Sequence, residues 1–323
     1  MKVYEYISII GLVLAFGMLF HSCEKDEGQS KAENEKRYFD LYITSHYPGL
    51  SPTESGLYIK LIEEGSGPVP DSGDWVLINY VISSIPSDKT TGAVLDTYYE
   101  KVAIEHGLYE KDVLYGSYKF MHGQELRGLK EGLSTMKEGG KTRLMFTSDL
   151  GFGSKGTSLV NPYTSLIYDV HLMKVLGDID TYESSRINEY LDTVPDSKIT
   201  GKFDEEIGAT LYYIEDKEGS GFEIANDTVV RVIYTGYLMD QRVFDTNVGG
   251  DTLEVTIGKG KVISGWELGL TCFKRGGKGR LIIPYPLGYG EAGKLNYNGK
   301  VSIPPCETLV FDMEVVNDQA DQD

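Results

Sequence analysis

The sequence is poor in histidine, cysteine, tryptophan and positive charge. Its 323 residues include five histidines, three cysteines and two tryptophans, and 31 Lys and Arg stand against 49 Asp and Glu, for a net charge of -18. Such a chain repels phosphate backbones over long range, so we expect no nucleic-acid partner. The histidines show no metal-ligand spacing, the run GKGKVISG at 258–265 lacks GxGxxG spacing, and no GxxxxGK[ST] or GxSxG motif occurs. We therefore expect neither a metal nor another cofactor.

The apolar run at the N-terminus is too short to cross a bilayer. It covers 7–20, whereas a spanning helix needs roughly 18–20 residues, so it is typical of a signal-peptide core. The tetrapeptide Phe20-His21-Ser22-Cys23 resembles the lipobox of bacterial lipoproteins, although Phe stands where Leu is usual. We expect residues 1–23 to be a lipoprotein signal peptide and Cys23 to be lipidated. A secreted protein without lipid is the alternative.

Residues 24–36 are charged and poor in apolar side chains, which predicts a flexible tether. The cluster Lys25-Asp26-Glu27 resembles the surface-export signal of Bacteroidetes lipoproteins, and a plain polar spacer fits equally well. Together with Cys23, this resemblance implies a protein of the bacterial envelope, lipid-anchored to the outer membrane and either periplasmic or surface-exposed. Cys272 and Cys306 do not make a disulfide framework, and we expect two buried thiols.

The chain contains an internal repeat. The segment GLYIKLIEEGSG at 56–67 is echoed by ATLYYIEDKEGSG at 209–221, and Tyr80 matches Tyr234 with the same offset of 154 residues. A repeat that keeps its register through two strand patterns predicts two copies of one domain. We place the first domain at 37–176 and the second at 177–318, followed by a tail at 319–323.

A helix is predicted ahead of each copy, in 35–47 and 184–194, from apolar residues at helical spacing. The offset falls to 137 at Gly128 and Gly265. The first copy therefore carries about 17 extra residues, and insertions of that size belong in surface loops.

The second copy reads mainly as strands. Its β-rich runs are bounded by Gly, Asp and Asn, and only one short helix is indicated, at 265–277. This pattern predicts an α+β fold: two tandem domains, each a curved antiparallel sheet wrapped over one short helix. The β-rich runs are 229–238, 251–257, 279–285 and 308–316.

Four segments of the second copy carry a family resemblance. They read YTGYLMDQRVFDT, VISGWELGL, GRLIIPYPLGYGE and IPPCETLVFDMEV, and they resemble the FKBP-type peptidyl-prolyl cis-trans isomerases in order and spacing. The resemblance implies a five- or six-stranded sheet around one helix, and an enzyme that accelerates rotation about X–Pro bonds in envelope or secreted proteins. Its clients would be proline-containing polypeptides. The alternative is a peptide-binding chaperone or cell-surface assembly module without significant turnover.

The resemblance also implies a site. Trp266 would form the floor of an apolar pocket, with Gly265 allowing the chain to enter the helix so that the indole points inward. The amide of Ile263 and the phenol of Tyr289 would donate hydrogen bonds to carbonyls of a bound peptide. Taken singly, such aromatic residues are more often core than pocket. The full set of implied site residues is Tyr234, Phe244, Asp245, Val262, Ile263, Trp266, Tyr289, Ile303 and Phe311.

The first copy keeps only part of this set. Tyr80 and Asp96 match Tyr234 and Asp245, but the aromatic positions differ. We expect this domain to have reduced or no isomerase activity, and its tyrosine-rich insertion between Tyr98 and Tyr118 is where a partner surface is predicted. The replacements are Leu95 for Phe244, Leu129 for Trp266, Phe152 for Tyr289 and Tyr168 for Phe311.

Overall fold

The computed structural model describes residues 27–87, 92–157 and 159–317. The predicted signal peptide, Cys23 and the predicted tail lie outside these residues. The described chain forms two compact units that are not contiguous in sequence. The first unit contains the described residues up to Leu108 and Met121–Val175, and the second contains Tyr109–Phe120 and everything from Leu176 onward. Part of the first copy's insertion, residues 109–120, therefore belongs to the second unit.

The first unit is a sheet with a short helix against it. Its strand order is β1-β5-β6-β2-β3, and β1–β5, β5–β6 and β2–β3 pair antiparallel. The helix α3 packs closely, because a Cβ on its Gly132 would lie 2.3 Å from Leu144 Cδ1. The elements up to residue 177 are α1 (27–46), β1 (Tyr58–Glu63), β2 (Trp75–Ser84), β3 (Val94–Thr97), α2 (Glu100–Glu105), β4 (Tyr118–Met121, of which only Met121 falls in this unit), α3 (Arg127–Leu133), β5 (Lys141–Phe146) and β6 (Leu166–Gly177).

The prediction of a flexible tether over 24–36 is wrong for residues 27–36, which are helical. Their charges form pairs one turn apart, such as Lys31 with Glu27 at 2.8 Å, and such pairs favour a helix. The Glu35 carboxylate accepts hydrogen bonds from the Ser148 amide at 2.6 Å and the Ser165 hydroxyl at 2.8 Å. The predicted helix at 35–47 is thus the second half of a longer one.

The second unit has a larger antiparallel sheet. Its order is β10-β9-β15-β12-β8-β7, with β11 also paired to β9 and a separate two-stranded hairpin, β13–β14. The elements are α4 (Ile179–Leu191), β7 (Ile199–Asp204), β8 (Ala209–Lys217), β9 (Val229–Leu238), β10 (Val243–Thr246), β11 (Leu253–Thr256), α5 (Ser264–Leu270), β12 (Lys278–Ile283), β13 (Lys294–Leu295), β14 (Val301–Ile303) and β15 (Leu309–Val315). The α+β prediction is confirmed. The seven strands exceed the five or six implied, because β7 adds an edge beside β8.

The helix α5 lies very close to the strand β12. A Cβ on Gly265 would lie 2.3 Å from Ile283 Cγ2, and one on Gly269 would lie 2.4 Å from Leu281 Cδ1. Both distances are shorter than any van der Waals contact, so glycine is required at both positions by the close approach. The expectation that Gly265 serves the entry of the chain into the helix is corrected accordingly: its φ is not in the left-handed region.

Cys272 and Cys306 are both free thiols. Cys306 is buried as predicted, whereas Cys272 is half-buried. Burial raises the pKa of Cys306 to about 12, so this thiol stays protonated and unreactive near neutral pH. Within the described ranges no helix is both long and apolar enough to span a bilayer.

Candidate active site

The floor of the candidate site consists of three buried side chains from three elements. Trp266 comes from α5, Phe311 from β15 and Ile303 from β14, and they are 4%, 3% and 2% exposed. The Trp266 and Phe311 rings meet edge to face, with centroids 5.1 Å apart and planes at 86°. This geometry places the positive edge of one ring on the negative face of the other, which stabilises the pair beyond its buried area.

One wall rises from β9 and β10. The Tyr234 ring lies 4.9 Å from Trp266, and the Phe244 ring lies 5.5 Å from Phe311, both edge to face. Tyr234 and Phe244 are partly exposed and pack against the buried cluster. Between them, a Cβ on Gly236 would lie 2.7 Å from both Phe244 Cζ and Phe311 Cε1. Glycine at 236 is therefore what allows these two rings to meet.

The polar edge of this wall is a tyrosine–aspartate pair. The Tyr234 hydroxyl donates to Asp245 Oδ2 at 2.8 Å. The register of β10 against β9 shifts between Val243 and Asp245, and such a bulge re-aims the side chains beside it. Burial, followed by the hydrogen bond to Asp245, raises the pKa of Tyr234 above its ordinary value. The phenol is thus a neutral donor, committed to the carboxylate.

The rim is the loop that enters α5. Val262 and Ile263 are partly exposed and pack against the same cluster. The Glu267 carboxylate fixes this loop, because it accepts hydrogen bonds from the amides of Gly260, at 2.8 Å, and Gly258. The Ile263 carbonyl accepts from the Trp266 amide at 2.9 Å, while the Ile263 N–H has no acceptor among the described residues. That N–H is available to a bound carbonyl.

The opposite side carries Tyr289, which is partly exposed and packs against the cluster. The Lys294 Nζ lies 5.4 Å from the centroid of its ring, a cation–π contact. None of the hydrogen bonds found in the described part of the chain engages the Tyr289 hydroxyl. The segment that follows forms the hairpin β13–β14 and leads to Ile303.

The structure brings all nine predicted residues together. Eight of them belong to or pack on one apolar cluster, and Asp245 joins them through Tyr234. These nine residues, with partly exposed walls beside a buried floor, are what we call the recess. The Trp266 Nε1 is buried with no hydrogen-bond partner in the described chain. Such a donor costs about 1–3 kcal/mol.

Three supporting residues were missed by sequence reasoning: Gly236, Glu267 and Arg242. Gly236 shapes the wall and Glu267 fixes the rim. Neither role can be predicted before the contacts between the elements are known. Arg242 lies two residues before Phe244, and its contacts are described below. The recess itself holds no paired acids, nucleophile or histidine, and no cluster of metal-ligating residues occurs in the described chain. Its chemistry is therefore binding and orientation by apolar surface and fixed N–H and O–H donors.

The corresponding tyrosine of the first unit is buried. The Tyr80 hydroxyl donates to Asp96 Oδ2 at 2.8 Å, as in the second unit. Its ring lies 5.8 Å from Tyr168, much as Tyr234 lies 6.1 Å from Phe311, but Tyr80 is only 7% exposed and also packs on Tyr98 at 5.5 Å. Leu129, which stands where the second unit has Trp266, is also buried. The partly exposed tyrosine of one unit is thus a core residue in the other.

The comparison with protein families now bears on both units. A family model described as FKBP-type peptidyl-prolyl cis-trans isomerase matches residues 69–173 and 221–316, which is well over half of the chain. The chain belongs to this family. One match falls in each copy, so both halves of the repeat are FKBP domains by sequence as well as by fold.

Individual relatives match about one domain's length. An FK506-binding protein of Neisseria meningitidis serogroup A is 41% identical over 105 residues, 32% of this chain and 92% of that protein. FK506-binding protein 4 of Rhizopus delemar is 41% identical over 105 residues, 32% of this chain but 26% of that protein. The chain thus spans about a quarter of the fungal relative. The crystal structure of FkpA from Escherichia coli is 24% identical, covers 54% of this chain and 74% of its own, and has a TM-score of 0.36.

Proposed function

We propose that the recess of the second unit accelerates cis–trans rotation about X–Pro bonds. The observation that carries this proposal is a partly exposed aromatic surface over a buried indole, in a chain of the FKBP family. Proline-containing polypeptides are the proposed clients. The first unit is proposed to contribute little or no turnover, because Tyr80 is buried against Tyr98 and Leu129 stands in place of the indole.

The physics of the reaction suits a site without acids or bases. Rotation about an X–Pro bond faces a barrier of about 18–20 kcal/mol, because amide resonance is lost when the bond twists. Water favours the charge-separated resonance form, so an apolar surface weakens the double-bond character of the amide. Donors fixed in place then favour the twisted geometry over the planar one, which is the condition for acceleration.

The residues of the recess divide these tasks. Trp266, Phe311 and Phe244 supply the water-poor surface on which the proline ring packs. The N–H of Ile263 and the phenol of Tyr289 have no partner in the described chain, and both residues are partly exposed, unlike the buried Trp266 Nε1, so these two are the proposed donors. Tyr234 is already committed to Asp245, so its part is to fix the wall.

The first test compares two partly exposed residues at matching positions of the repeat. In the full chain, Phe244→Ala removes the wall of the second unit, and Leu95→Ala changes the equivalent position of the first. Exchange NMR on a short X–Pro peptide measures the isomerisation rate. Phe244→Ala is expected to lower kcat/KM at least tenfold, equivalent to about 1.4 kcal/mol of transition-state stabilisation. Leu95→Ala is expected to leave it unchanged.

Equal losses in the two variants would place the activity elsewhere. A peptide-binding module is the second candidate function, and the loss of aromatic site residues from the first copy favours it. Negligible turnover by the unmodified chain, together with suppressed aggregation of a proline-free client, would support the module over the enzyme.

We also propose that the protein is anchored to the outer membrane of a bacterial envelope by a lipid on Cys23. The support is the short apolar run and the lipobox-like tetrapeptide that ends at this cysteine. Mass spectrometry of the mature N-terminus is expected to find an acylated Cys23, and Cys23→Ser is expected to release the protein from the membrane fraction. An unmodified mature N-terminus at another residue would overturn this proposal.

A further inference from the structure

Residues 109–120, which we call the brace, belong to the second unit although their sequence lies inside the first copy. They fall within the region where the first copy is about 17 residues longer than the second. An insertion of that length needs no internal partner if it is only a surface loop. The brace instead makes polar contacts at three places in the second unit.

The first contact is with the hairpin β13–β14, which leads to Ile303 of the recess. The Glu110 carboxylate accepts hydrogen bonds from the side-chain amides of Asn296 and Asn298, both at 2.8 Å, and its Oε1 lies 3.5 Å from Lys300 Nζ. The hydrogen bond from Asn298, with help from Asn296 and Lys300, lowers the pKa of Glu110. The carboxylate is therefore ionised at neutral pH and ties the tip of the hairpin to the brace.

The second contact lies just beyond the hairpin. Lys119 is 1% exposed, and its Nζ lies 2.7 Å from Glu307 Oε2, 3.0 Å from Glu183 Oε1 and 2.9 Å from the Cys306 carbonyl oxygen. The second oxygen of Glu183 accepts from the Thr308 hydroxyl at 2.8 Å. Removal of one partner from a buried ionic network is costly, since it leaves the other charges uncompensated. The backbone at 306–308 is thereby fixed to the brace.

The third contact is with the opposite wall. Arg242, two residues before Phe244, donates from Nη1 to the Tyr115 carbonyl at 2.6 Å and to the Leu114 carbonyl at 3.4 Å. A Cβ on Gly116 would lie 3.1 Å from the same Nη1, and the φ of Gly116 is +128°. Leu114 packs on the apolar cluster that forms the recess. Backbone conformation and packing therefore both adapt the brace to this wall.

We propose that the brace is a positioning element of the prolyl site in the second unit. It contacts both the β10 side, through Arg242, and the hairpin side, through Glu110 and Lys119, and so holds the two walls at a fixed separation. All nine residues of the site lie in the second copy, but the elements that carry them are held in position by a segment of the first copy's sequence. This proposal rests on the proposed function, and it adds residues that touch neither the prolyl bond nor its neighbours.

The test uses Glu110→Ala in the full chain, because Glu110 is partly exposed and its loss leaves no buried charge unpaired. Hydrogen exchange is expected to speed up about tenfold or more at the backbone amides of 294–303, which open locally when the tie is lost. The KM for a short X–Pro peptide is expected to rise about three- to tenfold, with kcat changed less than about twofold, because the groups at the prolyl bond remain. Glu110→Gln, which keeps the acceptor oxygen, is expected to restore most of both values.

The matched control is Glu64→Ala in the first unit, which removes an exposed carboxylate that accepts from Lys137 at 2.8 Å. It is expected to change neither hairpin exchange nor KM. Unchanged exchange and KM in Glu110→Ala would overturn the brace as a positioning element. Faster hairpin exchange, in a chain whose unmodified form shows no isomerisation, would support the contact and refute the proposed function. The two failures are thus distinguishable.

Discussion

Gly265 and Trp266 are adjacent in α5, and the first allows the close packing that positions the second. The absence of a side chain at 265 lets α5 approach β12, where Ile283 occupies the space a Cβ would need. The indole at 266 then reaches both Tyr234 and Phe311 at edge-to-face distance. The glycine at 265 therefore determines how closely α5, and with it Trp266, approaches the sheet.

Gly265→Ala is expected to lower the free energy of unfolding of the second unit by about 1–3 kcal/mol, as overpacking does. It is also expected to reduce isomerase activity, because the helix that carries Trp266 must move. The control is Gly250→Ala, whose Cβ would lie 3.6 Å from the nearest atom, Asn247 O, and whose effect is expected within about 0.5 kcal/mol. Urea denaturation of the full chain measures both, and equal shifts would refute the packing argument.

The tyrosine–aspartate pair shows that a motif alone does not mark a site. Tyr234 with Asp245 and Tyr80 with Asp96 share the same 2.8 Å hydrogen bond. Burial raises the pKa of both phenols. What separates the pairs is their exposure, since Tyr80 is buried and packs on Tyr98, whereas Tyr234 is partly exposed.

At the scale of elements, local pattern predicted most of the fold. The helix predicted at 265–277 starts within one residue of α5 (Ser264–Leu270) but extends seven residues beyond its end, and the strand pattern ending at Tyr80 recurs at Tyr234 in β2 and β9. These elements can be predicted because the alternation of apolar residues in strands and their helical spacing are local properties. The repeat also shows each pattern twice. The implied site residues meet because the resemblance fixes their order along these elements.

Long-range placement is what the sequence did not reveal. Lys119 lies in the strand run YKFM and reads as a solvent-facing residue, yet it is buried because two glutamates distant in sequence surround it. No local periodicity in the sequence indicates that residues 109–120 belong to the second unit rather than to the rest of the first copy. Similarly, the charged stretch before Tyr38 read as a tether, because its helix depends on charge pairs and on Glu35 meeting Ser148.

At the scale of the whole molecule, the chain contains two FKBP domains of which one keeps an aromatic recess. The second unit has an indole floor and partly exposed walls, and the first has the buried residues Leu129 and Tyr80 at the matching positions. In a repeat, one domain can lose its site residues while both domains keep the fold. The brace shows that the copies are nevertheless not separable at 176, because the second unit includes residues 109–120.

The most direct test replaces Trp266 of the second unit by leucine, the residue found at the matching position 129 of the first unit. Trp266→Leu in the full chain removes both edge-to-face contacts and leaves the first unit untouched, and Trp266→Phe keeps an aromatic floor. Exchange NMR on an X–Pro peptide is expected to show at least a tenfold lower kcat/KM for Trp266→Leu, about 1.4 kcal/mol or more, and a smaller loss for Trp266→Phe. Wild-type kcat/KM in a folded Trp266→Leu chain would contradict the claim that this recess turns the prolyl bond.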